Sequence, residues 1–148
     1  KNPSIPLKFC FGIVQLALGF LLTQVGFQFV NEAYQVPLIT LVFLYMLHTT
    51  GELFLSPIGL SMVTKLSPKS MAGTAMGAWF LSFAIANYVG GKIAALTGGH
   101  GGGEVTSAED GLLQYLDTFA TIGYVLLAIA ALIFVLNKPI QKLMHGVE

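Results

Sequence analysis

Four apolar blocks, each long enough to cross a lipid bilayer as a helix, limit what this chain can become. They cover residues 7–29, 37–66, 71–97 and 112–136. A helix needs roughly 20 apolar residues to span the hydrocarbon core, and each block reaches or exceeds that length. Only 9% of the 148 residues are charged, while 55% are hydrophobic. A soluble domain usually carries about a quarter charged residues. A chain this poor in charge cannot clothe a water-facing surface, so lipid is its expected solvent. The pattern predicts an all-α, polytopic membrane protein. Its four transmembrane helices are expected over about 7–29, 37–66, 68–97 and 112–136, with a flexible outer loop over 98–111. The first block is too long for a signal-peptide core, and no small-residue cleavage site follows it.

The formal net charge is zero. There is no basic footprint for nucleic acid, and none is expected as a partner. The single cysteine, Cys10, excludes an intrachain disulfide and a thiolate metal cluster. No metal, no cofactor and no catalytic residue is expected. His100 stands alone among glycines in "GGHGGGEVTSAEDG" and reads as a solvated loop residue.

There is no arginine, so lysine carries the orientation signal. Lys1 and Lys8 lie at the start of the first block, Lys65 and Lys69 flank the second-to-third turn, and Lys138 and Lys142 follow the fourth. The two remaining links hold none. Cytoplasmic loops are enriched in lysine, which predicts that both chain ends and the middle turn are cytoplasmic. Lys92 breaks the pattern near the outer end of the third block, where its stem can snorkel to the interface.

Within the blocks, small and polar residues carry the information. Gly12, Gly19 and Gly26 repeat at heptad spacing and leave one helix face nearly bare for a close neighbour. Gln15, Thr23 and Gln24 suit interhelical hydrogen bonds or the lining of a pore. The second block, from Pro37, would be about 45 Å long as a helix, so it should tilt, bend or protrude. Ser67 is expected to cap the third helix and Pro68 to open it. Gly73 and Gly77 form a GxxxG pattern, which predicts a closely packed helix. Asp117 suits the N-terminus of the fourth helix, which reads as lipid-facing and as ending at Asn137-Lys138-Pro139 before a short amphipathic tail.

The second block holds the most telling feature, "GELFLSPIGLS" over residues 51–61. His48, Glu52 and Ser56 recur every four residues and form one stripe along a helix face. Glu52 falls near the helix midpoint, where a carboxylate costs several kcal/mol unless it meets water, a cation or a proton. It reads either as a functional group or as half of a structural ion pair with a lysine. Pro57 frees the Leu53 carbonyl and reads as a hinge or as a static kink. In the third block Trp79, Phe83 and Asn87 share a face, with Met76 one turn before. Trp79, the only tryptophan, lies about 12 Å along the helix from Met71, deeper than an interfacial belt residue. It fits a pocket wall beside the buried carboxylate.

The run "GELFLSPIGLSMVTKLSPKSMAGTAMGAWFLSFAIANYVGG", residues 51–91, resembles the proton-dependent oligopeptide transporter family of the major facilitator superfamily. The flanking blocks fit that family in position and hydropathy. The resemblance implies that this chain is the last third of such a transporter, helices nine to twelve of its C-terminal six-helix bundle. It implies a bacterial inner-membrane symporter that imports di- and tripeptides by alternating access, with protons as coupling ion. By the same resemblance Glu52 binds the peptide amino terminus, Ser56 borders that site, Trp79 walls the pocket and Leu60 belongs to a cytoplasmic gate. The partners implied are the peptides, the lipid bilayer and helices one to eight. The family's "ExxERFxYY" motif and its carboxylate-binding basic residue have no counterpart here, because both lie in parts of the family's chain beyond this one.

Two other readings compete. One is a self-standing four-helix membrane protein with an assembly role, which the glycine faces suit but which leaves Glu52 in need of an oligomeric partner. The other is an intramembrane enzyme using His48 and Ser56. Those two are about 12 Å apart along a helix axis, beyond the hydrogen-bond reach that a base needs.

Overall fold

The computed structural model describes residues 3–97 and 107–144. Among them the only regular elements are four α-helices: α1 (Ile5–Phe27), α2 (Leu38–Leu66), α3 (Ala72–Thr97) and α4 (Ala108–Leu143). His100 and most of the expected outer loop lie outside the described residues.

Helix α1 is the centre of the arrangement. It packs extensively against α4 and α2, while α3 rests lightly on α2 and α4. The heptad glycines explain the α1–α2 contact. A methyl group on Gly12 would meet Leu55, one on Gly19 would meet His48, and one on Gly26 would meet Thr40. The partner numbers fall as the glycine numbers rise, so α1 and α2 run antiparallel. Each missing side chain lets the facing one settle against α1 backbone, the close approach that small residues permit in membranes.

The α1–α4 seam is antiparallel by the same test. Ser4 Oγ donates to Asn137 Oδ1 at 2.9 Å, Cys10 Sγ to the Ala130 carbonyl at 3.3 Å, and Gln24 Nε2 to the Leu116 carbonyl at 2.8 Å. Between them, Gly123 faces Leu21 and the Ala17 carbonyl. In membranes, polar side chains such as Ser, Thr and Gln hydrogen-bond across helices. Gln15 donates to Thr50 Oγ1, so the glutamines of α1 serve as ties between helices.

Several expected boundaries move. Ser67 is the C-cap of α2: its N–H and its hydroxyl both donate to the Val63 carbonyl, at 3.1 and 2.6 Å. It therefore does not cap α3, which starts at Ala72 after a turn closed by Met71 N–H on the Pro68 carbonyl. α4 begins at Ala108, because Ser107 caps it and accepts from the Asp110 N–H at 3.1 Å. The acidic residues of its first turn are Glu109 and Asp110. Asp117 sits more than two turns further in, beyond the reach of the helix-end charge. At the other end α4 runs through Pro139 to Leu143 instead of stopping. Pro139 lies about 46 Å from the helix start, past the roughly 30 Å hydrocarbon core, where water can take the freed Val135 carbonyl.

Large apolar side chains such as Phe43, Leu53, Phe80, Leu132 and Val135 stand exposed along these helices. A water-soluble surface does not carry so much; a lipid-facing one does. By length and composition α1, α2 and α4 qualify as membrane spans. α3 has the length, at 26 residues, but Ser82, Asn87, Lys92 and its glycines dilute its apolar character. The expected GxxxG contact is not made among the described residues: apart from the adjoining backbone of α3 itself, nothing described lies within 4 Å of a methyl group built on Gly73 or Gly77.

Candidate functional site

The stripe of α2 opens into a cavity of about 540 Å³ between α1, α2 and α3. Helix α2 supplies His48, Glu52, Leu55 and Ser56; α3 supplies Trp79, Ser82, Phe83 and Ala86; α1 supplies Phe9 and Leu16. This is the usual make-up of a small-molecule site, mostly apolar walls with a few polar groups.

The helical period does the positioning. His48, Glu52 and Ser56 project from successive turns of one continuous helix, and Trp79, Ser82, Phe83 and Ala86 from one face of α3. Trp79 leans onto α2, its indole against the bare backbone of Gly59. Its ring meets Phe83 edge-on at 5.9 Å. Together they form an aromatic wall.

Glu52 is exposed to the cavity. Among the described residues it has no ion-pair partner, so the structural pair with a lysine is not made there. Among the described residues, His48 and Glu52 are the only titratable side chains that line the cavity. His48 is half-buried and leans on Phe20, with ring centroids 4.5 Å apart. Phe20 in turn meets Phe119 of α4 at 5.4 Å, so α4 supports the cavity from behind without lining it.

Of the residues expected at the site, Glu52, Ser56 and Trp79 come together on the cavity wall. Pro57 and Leu60 do not line it. Pro57 is on the exposed side of α2, and Leu60 follows Gly59 towards the Lys65 end. Phe83 joins the wall, but Asn87 does not. Its side chain donates to the Phe83 carbonyl at 2.9 Å, and Met76 is also absent from the lining. Sequence reasoning missed Phe9 and Leu16. They are spaced by a heptad and interleave with Gly12 and Gly19, a signal that α1 would share this face. Among the described residues there is no group of three or more metal-ligating side chains. The arrangement suits a cationic group at Glu52, hydrogen bonds at Ser56 and Ser82, and an apolar group against Trp79 and Phe83.

Comparisons with known proteins bear on the family of the chain. A family model described as the POT family matches residues 1–103. The chain is 37% identical to dipeptide and tripeptide permease A of Edwardsiella piscicida over 142 residues, 96% of this chain and 29% of that protein. It is 35% identical over 147 residues to dipeptide and tripeptide permease B of Aliivibrio fischeri (strain MJ11), covering 97% of this chain and 29% of that one. To dipeptide and tripeptide permease A of Yersinia pestis it is 38% identical over 135 residues, 91% of this chain and 26% of the relative. The chain thus spans less than a third of the length of the curated relatives it matches.

Proposed function

The chain belongs to the POT family, and on that premise we propose that it is part of a proton-coupled symporter that imports di- and tripeptides by alternating access. The similar proteins are named as dipeptide and tripeptide permeases, which are transporters rather than enzymes. The protein is an integral membrane protein, with helices long and apolar enough to span the bilayer. In the proposed arrangement it lies in a bacterial inner membrane with both chain ends cytoplasmic. Helices one to eight complete the cavity and bring the proton-coupling groups.

One observation carries the reading: a carboxylate, Glu52, with no ion-pair partner among the described residues, on the wall of a mostly apolar cavity. A peptide brings its own cation, the α-ammonium, and pairing with it favours the ionised carboxylate. Ser56, one turn away, borders the same site. Trp79 and Phe83 accept an apolar side chain without demanding a particular one. Pro57 leaves the Leu53 carbonyl without its usual donor and serves as the hinge of α2. Leu60 closes the cytoplasmic side as a gate.

The test uses the full-length transporter. Glu52→Gln keeps size and some hydrogen bonding but removes the charge. It should weaken binding of a dipeptide with a free amino terminus by about ten- to hundred-fold, the worth of a charge-assisted contact. An acetylated dipeptide should bind poorly to the parent and lose little more. Equal weakening of both forms, or of neither, removes Glu52 from the amino-terminal site.

A further inference from the structure

The amphipathic end of α4 is the feature that the transport reading leaves unused. Between Asp117 and Lys138 this helix carries no charged residue. That stretch is about 32 Å long at 1.5 Å per residue, which matches the roughly 30 Å hydrocarbon core. Lys138 therefore emerges at the headgroup level of one leaflet, with Lys142 one turn beyond it. Both are exposed, and neither has an ion-pair partner among the described residues. The turn that bears them is held in place. Asn137 Oδ1 accepts from Ser4 Oγ at 2.9 Å and from Gln141 Nε2 at 3.1 Å. Ile5 and Met144 are buried where α1 begins and α4 ends.

The lysines point away from the helices that α4 packs on. Gly123 and Ala130 face α1. Tyr115, Phe119 and Ile122 line another cavity with Gly90, Ile93 and Ala94 of α3. At about 100° per residue, Lys138 and Lys142 fall on the far side of α4 from α3. They share that stripe with Phe134 and Val135, both exposed. A cationic turn thus follows an apolar one along a single face. The described carboxylates other than Glu52 lie at the opposite end of the bundle: Glu32 in the α1–α2 link, and Glu109, Asp110 and Asp117 in the first three turns of α4. None of them is placed to neutralise the lysine pair.

We propose that the Lys138 end of α4 binds an anionic phospholipid, whose phosphate meets Lys138 and Lys142 and whose acyl chain lies along Phe134 and Val135. The lysine stems cover apolar surface while the ammonium groups reach the headgroup. In the orientation drawn above this is the cytoplasmic leaflet, the one that carries anionic lipid and attracts basic segments. A zwitterionic lipid offers the same phosphate but brings its own cation, so the pair discriminates by net charge. Each lysine near an anionic surface is worth about fivefold in affinity. The site is separate from the peptide cavity and does not depend on the role of Glu52.

The experiment titrates phosphatidylglycerol or phosphatidylcholine into the full-length transporter in neutral detergent and counts bound lipid by native mass spectrometry. The parent should bind phosphatidylglycerol about tenfold or more tighter than phosphatidylcholine. Lys138→Gln with Lys142→Gln should lose most of that preference and leave phosphatidylcholine binding unchanged, whereas Lys138→Arg with Lys142→Arg should keep it. Equal affinity for phosphatidylglycerol in the parent and the glutamine variant overturns the proposal. Glycerol 3-phosphate carries the phosphate without the chains and should not displace the lipid; displacement at equal concentration also overturns it. Should the glutamine variant fail to accumulate, the unmutated protein decides. Its preference for phosphatidylglycerol should fade as salt is raised, because exposed charges are screened, and a preference that is absent or independent of salt overturns the proposal.

Discussion

The indole of Trp79 occupies the space that a side chain at position 59 would need. A methyl group on Gly59 would overlap Cη2 and Cζ2 of that ring and reach 3.3 Å from Cζ of Phe9. The indole also lines the cavity, so that is the direction in which it can yield. Gly59→Ala in the full-length protein should narrow the cavity, weaken dipeptide binding and cost about 1–3 kcal/mol as an overpacked contact. Trp79→Phe, with its shorter ring, should recover part of both losses. Thermal unfolding and dipeptide affinity of the parent, both single variants and the double variant measure the coupling. Additive effects would mean that the two residues do not meet.

A second prediction concerns the α1–α2 seam. Gly26→Ala places a methyl group 2.5 Å from Cγ2 and 2.7 Å from Oγ1 of Thr40, and 3.0 Å from Val36 Cγ1. Thr40 is buried and, being β-branched, stiff at its first torsion. The expected loss is about 1–3 kcal/mol, read as a lower melting temperature. In a Thr40→Ala background the same change should cost clearly less.

The link between α1 and α2 yields a pH prediction. Asn31 organises it, with Oδ1 accepting from the Ala33 and Gln35 N–H groups, each at 3.0 Å. Tyr34 takes a positive φ of 58° and donates its phenol to Glu109 Oε2 at 2.9 Å. That bond, and the negative charge behind it, raise the Tyr34 pKa above its ordinary value. A raised pKa favours the protonated form in the folded state. The contribution is therefore complete below the ordinary tyrosine range, about pH 10, and is lost as pH rises through the raised value. Tyr34→Phe should lower the melting temperature slightly and by the same amount from pH 6 to 9. The gap between parent and variant should close above that range.

Topology can be read with single cysteines. Cys10 is buried and should stay silent. Ser107 and Ser67 both cap helices, so neighbouring exposed positions are better sites. Ala108→Cys should react with a membrane-impermeant thiol reagent on intact cells. Ser70→Cys should react only after permeabilisation. The reverse pattern inverts the orientation drawn from the lysines.

The helices were legible because a membrane span announces itself by length and apolarity. Their ends were less so, because capping is decided by geometry. Ser67-Pro68 has the composition of a helix start, yet the Ser67 hydroxyl turns back to Val63. Pro139 breaks helices in water-soluble interiors, but past the hydrocarbon core its missing hydrogen bond costs little. The stripe of Glu52 and Ser56 followed from the 3.6-residue period alone. The contributions of Phe9 and Leu16 did not, because glycines at heptad spacing declare a close neighbour without saying which helix it is. Likewise His48 shared the stripe in the sequence, but only the fold shows its Nε2 pressed against Gly19.

The glycine seams also set the mechanics of the cavity. α1 is keyed to α2 at Gly12, Gly19 and Gly26 and to α4 at Gly123, so two of the three cavity walls belong to one stiff body. The third wall, α3, has no buried residue among those described; it follows the short 68–71 link and rests lightly on α2, where Trp79 meets Gly59, and on α4. Among the described residues, a swing of α3 would widen the cavity while the α1 glycine contacts at positions 12, 19, 26 and 123 stay closed. A bulky group in the cavity would therefore press on the compliant wall, while Glu52 stays fixed on the rigid one.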